Sequence, residues 1–253
     1  MTIRLKKMLV QAGLGAGLLL TSTIMPAVAN QNTASSLRQG LPGRRISGGS
    51  RSDCMAGSPP VVALNPETNL GETMSDRPSI YFIIPELEDA YPLEFSLRDS
   101  AGNSIYEKSL TTRDSEGVVS IQLPPQSLQV QQDYRWYFSV VCDAHDPFQN
   151  DVLSGWLRQV EPNTIIESSI EASINTSDNH SVEKGHGVES ENIENALALA
   201  RSYQTVGLWN DAISALASLR EQYPNNDSVN YTWSQLLQAL RIDAAVSTPI
   251  ATR

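Results

Sequence analysis

Between residues 61 and 160 large apolar side chains recur at every second position in short runs, and turn residues separate the runs. A period of two marks a strand with one buried face, so this stretch is confined to sheet structure and cannot form a helical bundle. Ile80, Phe82 and Ile84 alternate up to Pro85, and Leu93, Phe95 and Leu97 oppose Glu94, Ser96 and Arg98. Residues 99–103 read as a turn before a returning strand over 105–110, and Val119, Ile121 and Leu123 alternate up to Pro124-Pro125. The longest run sets Tyr134, Trp136, Phe138, Val140 and Cys142 on one face and Arg135, Tyr137, Ser139 and Val141 on the other. With 61–64 first and 152–160 last, seven strands are predicted, which favours an immunoglobulin-like or fibronectin-like β-sandwich over a closed barrel. Leu128 stands six residues before Tyr134, the spacing of a tyrosine corner in such sandwiches.

What precedes the strands reads as an export leader and a polar arm. Arg4, Lys6 and Lys7 open a segment that continues through an apolar stretch to Ala27-Val28-Ala29, the pattern of a signal peptide over residues 1–29. Its uninterrupted apolar part, 12–20, is too short to span a bilayer, so the cleaved chain is not expected to be an integral membrane protein. Cleavage takes the formal charge from -10 to -13, since it removes three of 18 basic residues and none of 28 acidic ones. Such acidity argues against a nucleic-acid partner held by phosphate contacts. Residues 30–53 form a polar arm whose Arg38, Arg44, Arg45 and Arg51 stand apart from any acid until Asp53. Arg44, Arg45 and Arg51 are accordingly candidates for a partner contact, against the commoner alternative of lying on the chain's own acidic surface.

Two cysteines, Cys54 and Cys142, are all that the chain holds. In an oxidising compartment one disulfide is the preferred reading. The alternative, a thiol or metal site through the C-x-x-H spacing of Cys142 and His145, lacks a second ligand cluster in the sequence. Asp143, Asp146 and Asp151 around His145 do not have the spacing of a calcium loop and read as a solvated turn, so no metal is expected.

The β region is assigned to 54–160, and composition changes after it. Residues 161–192 form an acidic linker, with seven acids against Lys184 alone, in which Ile166, Ile170 and Ile174 allow one short amphipathic helix. Its His180 and His186 are poor candidates for catalysis, which needs fixed geometry. Residues 193–243 read as a helical hairpin with a third helix, followed by a tail at 244–253. Leu199, Ala200, Tyr203, Gly207, Ala212, Leu216 and Pro224 stand at the relative positions of a tetratricopeptide repeat. One repeat does not bury its own core, so the helices either dock on the sandwich or are completed by a partner, and docking is the favoured reading. Tyr203, Trp209 and Trp233 are the partner-binding candidates here, with core packing as their commoner role.

The blocks Gly40-Leu41-Pro42-Gly43-Arg44-Arg45, Gly48-Gly49-Ser50-Arg51 with Cys54, Tyr134-Arg135-Trp136-Tyr137-Phe138 with Val141-Cys142-Asp143, Gly155-Trp156-Leu157-Arg158 and Gly207-Leu208-Trp209-Asn210-Asp211-Ala212 follow one another in this order. Together they closely resemble the cyanobacterial domain-of-unknown-function family 928. The resemblance implies an exported protein with no assigned activity, and it carries over no catalytic residue and no cofactor. The sequence itself has no G-x-S-x-G elbow, H-E-x-x-H pair, phosphate-binding glycine loop or dinucleotide fingerprint. The expected function is therefore a non-enzymatic protein-interaction module, periplasmic or extracellular, whose partner is an envelope or secreted protein. Its helical unit is expected to be mobile on the linker. The alternative is binding of a cell-wall or other polysaccharide through Tyr81, Tyr106 and Tyr137, which requires that the three share a surface.

Overall fold

The structure is a computed structural model that describes residues 40–48, 53–112, 117–162, 164, 166–168, 170–172 and 188–242. The leader over 1–29, Arg38, Arg51, the histidines His180 and His186 and the tail over 244–253 lie outside the described residues.

The chain is mixed α/β. Its strands are β1 (Val62–Ala63), β2 (Leu70–Thr73), β3 (Ser79–Ile84), β4 (Pro92–Arg98), β5 (Ser104–Thr111), β6 (Gly117–Gln122), β7 (Asp133–Val140) and β8 (Asp151–Gln159). They form two sheets, ordered β1-β3-β6 and β2-β8-β7-β4-β5. All neighbours are antiparallel except β2 and β8, which run parallel with Leu70 opposite Trp156. The seven runs of the sequence are all strands, and β2 is an eighth. Leu-Gly-Glu-Thr shows no run of large alternating apolar residues, because its two buried positions are held by Gly71 and Thr73, small residues that pack against the seam.

The faces predicted from alternation meet in one core. Ile80, Phe82 and Ile84 of β3 pack with Leu93, Phe95 and Leu97 of β4 and with Tyr134, Trp136 and Phe138 of β7. Phe82 bridges the sheets: its ring stacks on Phe138 at 4.0 Å between centroids and meets Trp136 edge-on at 5.6 Å. Trp136 stands opposite Gly155 on β8. A Cβ at that position would run into the indole, so the glycine is required by close approach.

The phenol oxygen of Tyr134 accepts a hydrogen bond from the Gln129 N–H at 2.9 Å, across the turn that enters β7. Tyr134→Phe keeps the buried ring and leaves that amide to water. The expected loss is about 1 kcal/mol in urea unfolding, with an unchanged m-value.

Residues 40–48, part of the sequence-predicted arm, are woven into both sheets. Arg44 exchanges backbone hydrogen bonds with Ser154 of β8, and Ser47 N–H donates to Val61 C=O beside β1. Cys54 and Cys142 are joined in a disulfide with a Cα separation of 5.5 Å, which resolves the cysteine alternatives.

The helices are α1 (Val188–Thr205), α2 (Trp209–Gln222) and α3 (Asp227–Ala239), and residues 164, 166–168 and 170–172 are helical as well. Gly207 at φ +85° makes the turn between α1 and α2, a conformation that glycine adopts without strain. Asn226 caps α3 by accepting from the Val229 N–H. Of the two arrangements open to this unit, docking is the one the structure has. Val62, Leu64, Ile83 and Val118, on the outer face of the three-stranded sheet, share one apolar cluster with Leu197, Ile213, Leu216, Trp233 and Leu240. The helices are a third layer on that sheet.

Candidate functional site

Three surfaces carry chemistry: the seam between helices and sheet, the outer face of the five-stranded sheet, and the loop end beside β7 and β8. The seam is built by the first turn of α2. Asp211 Oδ1 accepts from the Thr73 hydroxyl at 2.7 Å and Oδ2 from the Met74 N–H at 2.8 Å. Its neighbour Asn210, 5% exposed, donates from Nδ2 to the Ser79 carbonyl at 2.8 Å. At the far end of the layer Arg45 donates from Nη1 to Asn65 C=O and to Leu240 C=O, clamping the end of α3. Burial pushes the Asp211 carboxyl above its ordinary value, against the pull of hydrogen bonds from Met74, Thr73 and Ser75. The phenols of Tyr81 and Tyr203, which line the same cleft of about 460 Å³, are raised by burial too. Since both oxygens of Asp211 are engaged, this cleft is a mortise for the helices.

The partner-binding candidates separate accordingly. Arg45 belongs to the clamp, Tyr203 lines the seam, and Trp209 packs half-buried against the helical cluster. Trp233 is buried under the Arg220 guanidinium, 4.8 Å from the ring centroid, and holds the helices to one another. Among the described candidates Arg44 is the exposed one, with its guanidinium 3.9 Å from buried Asp151. The polysaccharide reading required that its three tyrosines share a surface, and their placement does not meet that condition. Tyr106 leans into the core against Phe95, Tyr137 stands on the opposite face of that sheet, and Tyr81 lies under the helices on the other sheet. They share no surface.

The outer face of the five-stranded sheet has no layer over it among the described residues. Register sets Arg98 beside Arg135, Ser96 beside Tyr137 and Arg135 beside Trp156. The Arg135 guanidinium lies over both rings, 5.0 Å from Tyr137 and 5.5 Å from Trp156, while Arg98 lies 5.8 Å from Tyr137. Arg158 is held by a two-pronged bond to Asp133, which with nearby Glu72 raises its pKa further. Among the described residues neither Arg98 nor Arg135 has a carboxylate partner. Beside this row lies a shallow groove of about 510 Å³ that includes Glu94, Arg98, Glu107, Lys108 and Tyr137.

The loop end completes the inventory. Phe148, on the short turn Pro147–Gln149 between β7 and β8, is 95% exposed. Sequence reading passed over Phe148, Arg98 and the pair Asn210 and Asp211 as functional positions. Asn210 had a legible signal, since it stands three residues before Ile213 on the buried side of a helix, where an apolar residue is the rule.

Fold and surfaces together define a mixed α/β protein of two sheets and a docked helical layer, with its exposed chemistry on sheet face and loop end. Residues 46–250 match the family model described as Domain of Unknown Function (DUF928), and the chain belongs to that family. No curated protein matches it. Among the described residues no helix is long and apolar enough to cross a membrane.

Proposed function

We propose that the protein is a non-enzymatic interaction module of a cyanobacterial cell envelope or secretome, and that it meets another exported protein through the outer face of its five-stranded sheet. The observation that carries the reading is the row Arg98, Tyr137, Arg135 and Trp156 on a sheet face that no helix covers among the described residues. Arginine, tyrosine and tryptophan are the residues that protein interfaces concentrate, and here arginine already covers the ring faces on which a sugar would stack. Export is supported by the Cys54–Cys142 bond, which persists in oxidising compartments. In this reading the two sheets are an immunoglobulin-like sandwich, supported by the parallel edge pair β2 and β8 and by the Tyr134 corner. The pair α1 and α2 is one tetratricopeptide-like unit, supported by close packing at Ala200 and Ala212.

Cross-linking mass spectrometry on intact cells tests the role. One recurrent protein partner is expected, and Arg98→Glu with Glu107→Arg should cut its yield at least tenfold at an unchanged melting temperature. A chain that links to no protein, or whose links ignore both exposed substitutions, overturns the reading.

A further inference from the structure

Phe148 is the most exposed of the large apolar residues described; Tyr231, on α3, follows at 65%. The loop that holds it is braced at every level. At its root Cys142 is bonded to Cys54, and Asn150 Oδ1 accepts from the N–H groups of Cys142 and Asp143 at 3.0 and 3.2 Å. Higher up, Asp143 Oδ1 accepts from His145 N–H at 2.7 Å, and Asp146 Oδ1 accepts from Phe148 N–H at 3.1 Å. Backbone donors that water would otherwise satisfy are thus taken up inside the loop. A loop backbone held in this way loses little conformational freedom when a partner buries the ring it presents, which lowers the cost of using Phe148 as an anchor residue.

The surroundings of the ring select the partner. The β3–β4 loop lies at the same end of the sheets, because Val141 N–H donates to Pro92 C=O beside it. It exposes Glu86, Glu88 and Asp89, and Asp143 is exposed on the same loop as Phe148. Residues 85–91 and 141–150 contain no Lys or Arg. Arg44 reaches only the root of the β7–β8 loop, where it faces Asp151. Acidic side chains at the same end of the sheets as an apolar knob repel anionic lipid and also a second copy of this acidic chain, whereas they steer the knob toward a basic rim.

We infer that the β7–β8 loop docks Phe148 into an apolar pocket rimmed by Lys or Arg on a partner protein. This rests on the interaction role proposed above and adds a second contact to the sheet face. The test places a benzophenone amino acid at Phe148 in the full chain, in the cells that produce it. Two further chains carry the same probe at Glu107 on the sheet face and at Tyr231 on α3.

The expected product forms from position 148 and not from 231, and its linked peptide maps to an apolar pocket flanked by Lys or Arg. Its yield should fall at least tenfold in 0.5 M salt, and equally when Glu86→Gln, Glu88→Gln and Asp89→Asn are combined. Unlabelled wild-type chain and the Phe148→Tyr variant should compete for the pocket, while Phe148→Ala should compete at least tenfold less well. A product from 107 without one from 148 leaves the interaction role standing and overturns the loop contact. No product from either overturns both. Products from 148 that map to lipid, to a second copy of this chain or to an acidic surface overturn the inference, and so does indifference to salt.

Discussion

Replacing Cys54 and Cys142 together by Ala is expected to cost about 4–5 kcal/mol of stability, and to lower the midpoint of thermal unfolding by roughly 10–15 °C. The two residues are 88 positions apart, so the bond closes a long loop whose freedom the unfolded chain regains when it is cut. Their Cα separation of 5.5 Å falls in the usual range for a disulfide. The bond joins the short turn Asp53–Met55, where Met55 is wholly buried, to the residue pair that follows β7. It therefore ties the entry of the first sheet to an inner strand of the second. Wild-type protein in excess dithiothreitol should melt at the midpoint of the double variant. A shift below roughly 3 °C in both cases would mean that packing around Met55 already closes the loop, and would overturn the assignment of this stability to the bond.

The seven strands other than β2 were legible because each buries one face against the same core, and burying one face is what writes a period of two into a sequence. Tyr134 was legible for a related reason: a phenol at the start of a long apolar strand needs a partner, and the turn before it supplies the Gln129 amide. The helical layer was half legible. Leu197, Ile213 and Leu216 announce a buried helical stripe, but what the stripe meets is encoded elsewhere, in Ile83 and Val118. Alternation through Ile80, Phe82 and Ile84 assigns Ile83 to the solvent face. Only the near-continuous run from Ile80 to Ile84 signals that this strand is covered on both sides.

The surfaces were less legible than the core. Arg98, Arg135 and Trp156 come together through strand register between segments far apart in the chain, and no local spacing records that. Residues 40–48 read as polar because they bind by backbone hydrogen bonds, which any sequence can make. Tyr81, Tyr106 and Tyr137 illustrate the converse. Each is a tyrosine in a strand, yet one lies under the helices, one in the core and one on the open face, since residue type alone does not say which side of which sheet is covered.

Asp211→Ala is expected to destabilise the protein by about 2–4 kcal/mol, because it strips the acceptor from the Met74 N–H and the Thr73 hydroxyl within the seam. Asp211→Asn separates hydrogen bonding from charge. Its amide oxygen can serve Met74, and its NH₂ can donate to the Thr73 oxygen, so a cost below about 1 kcal/mol is expected at pH 7. The two variants should part in the same order in the hydrogen exchange of α2, where undocking exposes amides that wild type protects. Acidity gives the second readout. Burial raises the folded-state pKa of Asp211 above its unfolded value, so the folded protein binds the proton more tightly. The contribution of this group is therefore fully present below the unfolded pKa and is lost as pH rises through the folded one. Wild type should gain stability relative to Asp211→Asn as pH falls from 7 to 4, measured as the difference between their urea midpoints. A difference that shrinks or reverses over this range would place the carboxylate in a net stabilising field and overturn the assignment of Asp211 as a half-buried docking pin whose charge is a cost. A flat difference together with full protection of α2 in Asp211→Ala would mean that the apolar cluster of Ile83, Val118, Ile213 and Trp233 holds the helical layer without the pin.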